Sequence, residues 1–181
     1  MRKKLIHYGK RGSESGITLI ELSIAGFVLI FGMLSLMGLL IIAVGNNNRS
    51  KVDSSATMLT QAVLEQISAK LAGGGPGTMT DNANCNGTGN TFTILYQGGF
   101  GAPLNANGTV NFTAAQVPNY SMNYTECNNN VARTYDIRWN VADLSGKTYM
   151  VTVGGRPLGT TGGTRFSFAL PVTMRAYVGG N

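Results

Sequence analysis

The chain has 181 residues, of which 43% are hydrophobic and only 12% are charged, a low charged fraction for a soluble globular protein. Its formal net charge is +6 at pH 7, but the segment before Gly16 contributes +4 of this through five basic residues and one acidic residue. The basic residues cluster where a membrane-topology signal would lie, so the net charge is not evidence for a nucleic-acid-binding protein.

Residues 17–44 form an apolar run in which Glu21 is the only charged residue. A helix of this length would rise about 42 Å, which exceeds the ~30 Å hydrocarbon core of a bilayer. The run is too long for a cleavable secretory signal, and the basic residues before it predict a cytoplasmic N-terminus. A charged side chain inside a membrane costs about 2.5–3.5 kcal/mol, so Glu21 is a candidate functional residue. A plain single-span anchor is the alternative.

The helix is predicted to continue through residues 45–72. Apolar residues recur there at helical spacing, at Val52, Ala56, Leu59, Val63 and Ile67. A Gly-rich segment at 73–77 then provides a strong stop signal. We therefore expect one helix from Ile17 to Ala72, whose second half presents an apolar stripe that needs a sheet to cover it.

Residues 73–181 are expected to form a β-rich head. Residues 78–131 are polar, and we predict a loop with one or two short strands. Alternation of apolar and polar residues predicts a hairpin, with strands at Thr134–Ala142 and Lys147–Val153 and a turn at 143–146. A last strand is predicted over 166–178, at an edge or bulge because Pro171 cannot donate to a ladder. These patterns predict an α+β fold with an antiparallel sheet packed on the second half of the helix.

Cys85 and Cys127 follow the apolar run, so an extracytoplasmic disulfide is the natural interpretation, with two unpaired thiols as the alternative. No Cys-x-x-Cys pair is present and the only histidine, His7, precedes Gly16, which argues against a metal site. No nucleophile elbow or phosphate-binding loop occurs, so we predict no enzymatic activity and no cofactor. Trp139 is predicted to be a core residue.

Five arginines of the head have two possible roles. They could gather on the outer face of the sheet as a nucleic-acid contact, or they could simply form a solvated face, which we favour. These residues are Arg133, Arg138, Arg156, Arg165 and Arg175.

The segment Gly16-Ile17-Thr18-Leu19-Ile20-Glu21, with basic residues before it and an apolar run after it, resembles the prepilin processing motif of type IV pilins and pseudopilins. The resemblance implies cleavage after Gly16 by a prepilin peptidase and N-methylation of Ile17. It also implies that Glu21 acts in assembly. The family usually has Phe where this chain has Ile17, a substitution that the processing pattern tolerates.

The resemblance further implies a leader at 1–16, an assembly helix at 17–44, its amphipathic continuation at 45–72 and a head at 73–181. The expected function is that of a filament subunit in a type IV pilus or a type II secretion-like filament. Its ending is similar to PilV-type minor pilins and I-type pseudopilins.

The partners would be other pilins, the peptidase, an inner-membrane assembly platform and membrane lipid. The protein would lie in a bacterial inner membrane with a periplasmic head before assembly. The alternative is an unprocessed membrane-anchored protein whose head binds a partner.

Overall fold

A computed structural model of the chain describes residues 16–74, 77–83, 85, 87–128, 131–158 and 170–179, without the side chains of Asn48 and Asn128. The predicted leader therefore lies outside the described residues. The chain divides into two units, the first ending at Gly45 and the second, the head unit, beginning at Asn46. The elements in chain order are α1 (Leu19–Leu71), β1 (Thr78–Thr80), β2 (Thr91–Thr93), β3 (Phe100–Gly101), β4 (Ser121–Asn128), β5 (Val131–Ser145), β6 (Thr148–Leu158) and β7 (Val172–Gly179).

The helix α1 ends where the Gly-rich stop signal predicts. The Gly73 N–H donates to the Lys70 carbonyl at 3.0 Å, and the Gly74 N–H donates to the Ala69 carbonyl at 2.8 Å. This pair of bonds is a Schellman motif, which requires a left-handed residue after the helix, and Gly73 supplies it with φ of 94°. The observed helix is three residues shorter than the predicted Ile17–Ala72.

In the first unit, the large apolar side chains of α1 are exposed. Their exposed fractions run from 54% at Val44 to 84% at Leu19. By length and composition α1 is able to cross a membrane. The predicted membrane-spanning character of residues 17–44 therefore agrees with the structure at the level of a candidate span.

In the head unit, β5 is the centre of a five-stranded antiparallel sheet. β6 pairs with one edge of β5 and β7 pairs with β6, whereas β3 and β4 share the other edge of β5. β1 and β2 form a separate two-stranded sheet. Pro171 immediately precedes β7, which is an edge strand among the described elements, as the proline predicts. The predicted Phe166 and Phe168 positions lie outside the described residues.

One face of the sheet packs against the second half of α1. Gly155 permits the close approach, since a Cβ atom there would lie 2.5 Å from Thr60 Oγ1. Trp139 is fully buried and its Nε1 donates to the Leu95 carbonyl at 2.8 Å, which confirms the predicted core role. The core on this face comprises Ala56, Val63, Ile67, Met122, Tyr135, Ile137, Trp139, Val141, Val151 and Val153.

The other face of the sheet is covered by residues 102–118, here called the covering loop. Gly154 allows this contact, because a Cβ atom there would lie 2.8 Å from Val110. Asn140 Nδ2 donates to the Ala102 carbonyl at 3.0 Å, and Arg175 Nη2 donates to the Asn107 carbonyl at 3.1 Å. The predicted solvated face is therefore wrong over the central strands, because a loop that carries no strand periodicity shields them.

Two strand predictions also need correction. The region 78–131 contains four strands, and β4 is eight residues long, whereas one or two short strands were predicted. The predicted turn at 143–146 is displaced, because Asp143 and Ser145 still pair with β6. Gly146 and Lys147 make the reversal, both with positive φ, which is the backbone of a tight two-residue hairpin turn.

Candidate functional site

The site that the sequence singles out is the amino end of α1, and its polar groups form a closed local network. Glu21 Oε2 accepts from the Thr18 backbone N–H and from the Thr18 hydroxyl, both at 2.9 Å. The Glu21 N–H donates back to Thr18 Oγ1 at 3.3 Å. This is a capping box, in which the N-cap residue and the third residue of the helix satisfy each other's backbone groups.

The capping box fixes the direction in which the Glu21 carboxylate points. The side chain folds back toward the start of the helix, where the partial positive charge of the helix dipole also favours an anion. Among the described residues, the carboxylate has no basic partner within 4.0 Å. Its hydrogen bonds therefore come from its own chain.

The predicted processing residues lie just before this network. Gly16 and Ile17 are exposed and precede the first helical residue, Leu19. Apart from the chain neighbours of Gly16, no atom of the described residues lies within 4 Å of the position that a Gly16 Cβ would occupy.

The two predicted cysteines form a disulfide. Cys85 and Cys127 are 42 residues apart in sequence, with Cα atoms 5.2 Å apart, and the bond ties the segment after β1 to the end of β4. The choice that the sequence left open is therefore settled in favour of the disulfide.

The Asp81 carboxylate reinforces the same connection, and sequence reasoning did not identify it. Oδ1 accepts from the Asn90 N–H at 2.6 Å and from the Ala83 N–H at 3.2 Å, while Oδ2 accepts from the Thr125 N–H at 3.3 Å. Asp81 is only 6% exposed. A buried aspartate that binds backbone N–H groups on both sides of a loop is set by tertiary contacts, so spacing alone could not reveal it.

Replacing both cysteines with serine is expected to lower the free energy of unfolding of the head by about 3–5 kcal/mol, because the cross-link restricts the unfolded chain. Urea denaturation of the full chain in detergent, followed by the fluorescence of Trp139, measures this loss. Reduction of the wild-type protein provides the control and should give the same shift. A wild-type midpoint that is insensitive to reductant would contradict the prediction.

A second polar group that the sequence did not identify, the Asp136 cluster, joins the sheet to the covering loop. Asp136 Oδ1 accepts from Arg138 Nε at 2.9 Å, and Oδ2 lies 3.1 Å from Arg156 Nη2. Gln116 of the covering loop donates to Asp136 Oδ1 at 2.9 Å. The ring centroid of Phe112 lies 5.4 Å from the guanidinium carbon of Arg138 and 4.9 Å from that of Arg156.

The Asp136 cluster corrects the interpretation of the five arginines. Arg138 is 4% exposed, and its Nη1 donates to the Ala114 carbonyl at 2.7 Å. Arg138 and Arg156 both form ion pairs with Asp136, whose single charge offsets one of their two, and the buried Arg138 does not belong to an exposed basic face. Arg165 lies outside the described residues.

Two further observations bear on chemistry. Within the described ranges, no group of three or more His, Cys, Asp or Glu side chains is arranged to hold a metal ion. Burial raises the pKa of the Tyr135 phenol above its usual value, so this hydroxyl stays protonated at neutral pH.

No known protein family, characterised protein or solved structure matches the chain.

Proposed function

We propose that this chain is a structural subunit of a type IV pilin-like filament, a minor pilin or pseudopilin that is inserted and assembled through α1. The observation that carries the proposal is the exposed Gly16–Ile17 bond, directly followed by a capped carboxylate and by a helix whose apolar surface is bare. A monomeric soluble protein rarely leaves so large a contiguous apolar surface uncovered. A bilayer, and later the helices of neighbouring subunits, would cover it.

The chemistry of Glu21 supports assembly better than simple anchoring. Cleavage after Gly16 would create an ammonium group at Ile17, in an apolar setting. Two opposite charges that are buried together offset much of the cost that each has alone, and they do so best with good geometry. A neighbouring subunit, displaced along a fibre axis, would bring its own Ile17 ammonium group to this Glu21. The pair would fix the register between subunits.

The architecture of the head unit agrees with the same class. The second half of α1 covers one face of an antiparallel sheet, which is the general plan of type IV pilins. Cys85 and Cys127 both precede the last three strands, β5 to β7, a position that favours a minor subunit. The proposed partners are other pilins or pseudopilins, a prepilin peptidase and an inner-membrane assembly platform.

Processing is the direct test of the proposal. Mass spectrometry of the protein isolated from its own cells is expected to find Ile17 as the first residue, carrying one added methyl group. A Gly16→Leu variant is the control and should retain Met1, because the proposed prepilin peptidase cleaves after a glycine. A wild-type protein that begins at Met1 would favour the unprocessed membrane-anchored alternative.

A further inference from the structure

The head unit contains a polar pocket between α1 and the strands β4 and β5. Its volume is about 300 Å³. The polar side chains that line it are Ser50, Lys51, Ser54, Ser55, Glu126 and Arg133. The pocket therefore combines two cations, one anion and three hydroxyl groups, none of which the filament proposal uses.

The three charged side chains of the pocket do not neutralise one another. Glu126 and Arg133 are direct cross-strand partners in the β4–β5 ladder. Yet across the described parts of the chain, no ion pair within 4.0 Å includes Lys51, Glu126 or Arg133. Opposite charges that share a pocket without pairing can each contact a different part of one ligand.

The hydroxyl group of Tyr135 lies behind the lining of the pocket. Tyr135 Oη is buried and lies beside Ser55 and Arg133, two of the lining residues. Because this oxygen is buried and Tyr135 is not a lining residue, a ligand in the pocket would affect the hydroxyl through Ser55 and Arg133.

The pocket also lies close in sequence to the apolar run. Lys51 lies seven positions after Val44, the last residue of the apolar run, and seven residue steps cannot exceed about 25 Å even when fully extended. Phosphate groups of lipid headgroups are within that reach if the run crosses a bilayer. The long stem of Lys51 is suited to placing its charge among headgroups.

We propose that this pocket binds a phosphoester that carries a neighbouring ammonium group, as in the zwitterionic headgroup of phosphatidylethanolamine. Lys51, Arg133 and the serine hydroxyls bind the phosphate oxygens. Glu126 binds the ammonium group. The inference rests on the membrane-inserted part of the proposed function for its choice of a lipid, but not on cleavage or on filament formation.

The test uses the full chain in non-ionic detergent and short-chain phosphatidylethanolamine as the probe. Binding is followed by NMR of ring-labelled tyrosine, with the Tyr135 signal assigned from its absence in Tyr135→Phe. Arg133→Gln and Lys51→Gln are each expected to weaken binding about tenfold or more, as befits hydrogen bonds to a charged group.

Two further variants make the assignment specific. Lys147→Gln removes the same charge from the exposed β5–β6 turn, away from the pocket, and should leave the affinity unchanged. Glu126→Gln should abolish a preference for phosphatidylethanolamine over phosphatidylglycerol, because the latter has no ammonium group. Lys51 is exposed on α1, so its substitution remains informative if an Arg133 variant fails to fold.

The outcomes separate the possible ligands. Tighter binding of the lipid than of glycerophosphoethanolamine supports a membrane headgroup, and equal binding supports a soluble compound with the same chemistry. Equal binding of inorganic phosphate, or an equal loss in Lys147→Gln, would overturn the proposal. A native chain that begins at Met1 would refute the filament function and leave the binding result untouched.

Discussion

A Glu21→Ala variant is expected to be cleaved and methylated as efficiently as the wild type and yet to be absent from fibres. The scissile bond after Gly16 does not require the carboxylate, whereas the register between subunits would depend on it. Without the carboxylate, a buried ammonium group at Ile17 of the next subunit would have no counter-charge, and a lone buried charge is strongly unfavourable. Comparing the variant's abundance in sheared fibres and in membranes measures the effect.

The capping box provides a sharper version of this experiment. Glu21→Gln keeps an oxygen that can accept from Thr18, since glutamine also completes a capping box, but it removes the negative charge. If the ion pair is what assembly needs, the glutamine variant should fail like the alanine variant. Normal fibre incorporation of Glu21→Gln would assign the role to the cap instead.

A matched control tests whether charge loss elsewhere on α1 matters. Glu65 lies on the same helix in the head unit, where its carboxylate accepts from Gln61 at 2.8 Å. Glu65→Ala removes one negative charge without touching the amino end of α1. Its incorporation should match the wild type.

An Asp136→Asn variant is expected to lose about 3–5 kcal/mol of folding stability, because the substitution leaves the buried guanidinium of Arg138 without a counter-charge. The amide nitrogen would replace one of the two carboxylate oxygens and would face a donor in either position, Gln116 Nε2 at Oδ1 or Arg156 Nη2 at Oδ2. Since Gln116 belongs to the covering loop, amide hydrogens beneath that loop should exchange faster as well. Urea denaturation and hydrogen exchange measure the two effects.

Asp143→Asn is the control for this substitution. Asp143 lies on the same strand, β5, but is exposed, so the same chemical change should alter stability by less than about 0.5 kcal/mol. The double variant Asp136→Leu/Arg138→Met removes both buried charges and should be more stable than Asp136→Asn alone. An Asp136→Asn variant as stable as the wild type would mean that the Asp136 cluster stabilises neither the sheet nor the covering loop.

The elements that could be predicted from sequence are those in which one face packs on an apolar core. The stripe from Val52 to Ile67 gives helical spacing, and the alternation from Tyr135 to Val141 gives strand spacing, because each set faces the same interior. Both elements occur where the pattern indicates. The Gly-rich stop is equally local, since a left-handed glycine ends a helix by its own backbone geometry.

The elements that could not be predicted depend on contacts between distant parts of the chain. In β4, Met122 and Tyr124 pack on the core, but the rest of the strand is polar and is held by the Cys127 disulfide and by the hydrogen bond from the Thr125 N–H to Asp81. The covering loop has no apolar periodicity, and it is held by hydrogen bonds from Arg138 to its backbone carbonyls, which any residue type would offer. At the candidate site, the spacing of Thr18 and Glu21 is a capping-box signature, so that network was accessible from sequence.

Coverage of the sheet on both faces imposes two different rules of substitution on a single strand. Toward α1, Ile137 and Val141 belong to the hydrophobic core, so homologous chains can exchange them for other hydrophobic residues of similar volume. Toward the covering loop, Asp136 and Arg138 can be substituted only together, because replacing one of them leaves the other as an unpaired buried charge. Among homologous chains, substitutions at Ile137 and Val141 should therefore occur independently, whereas substitutions at Asp136 and Arg138 should occur together.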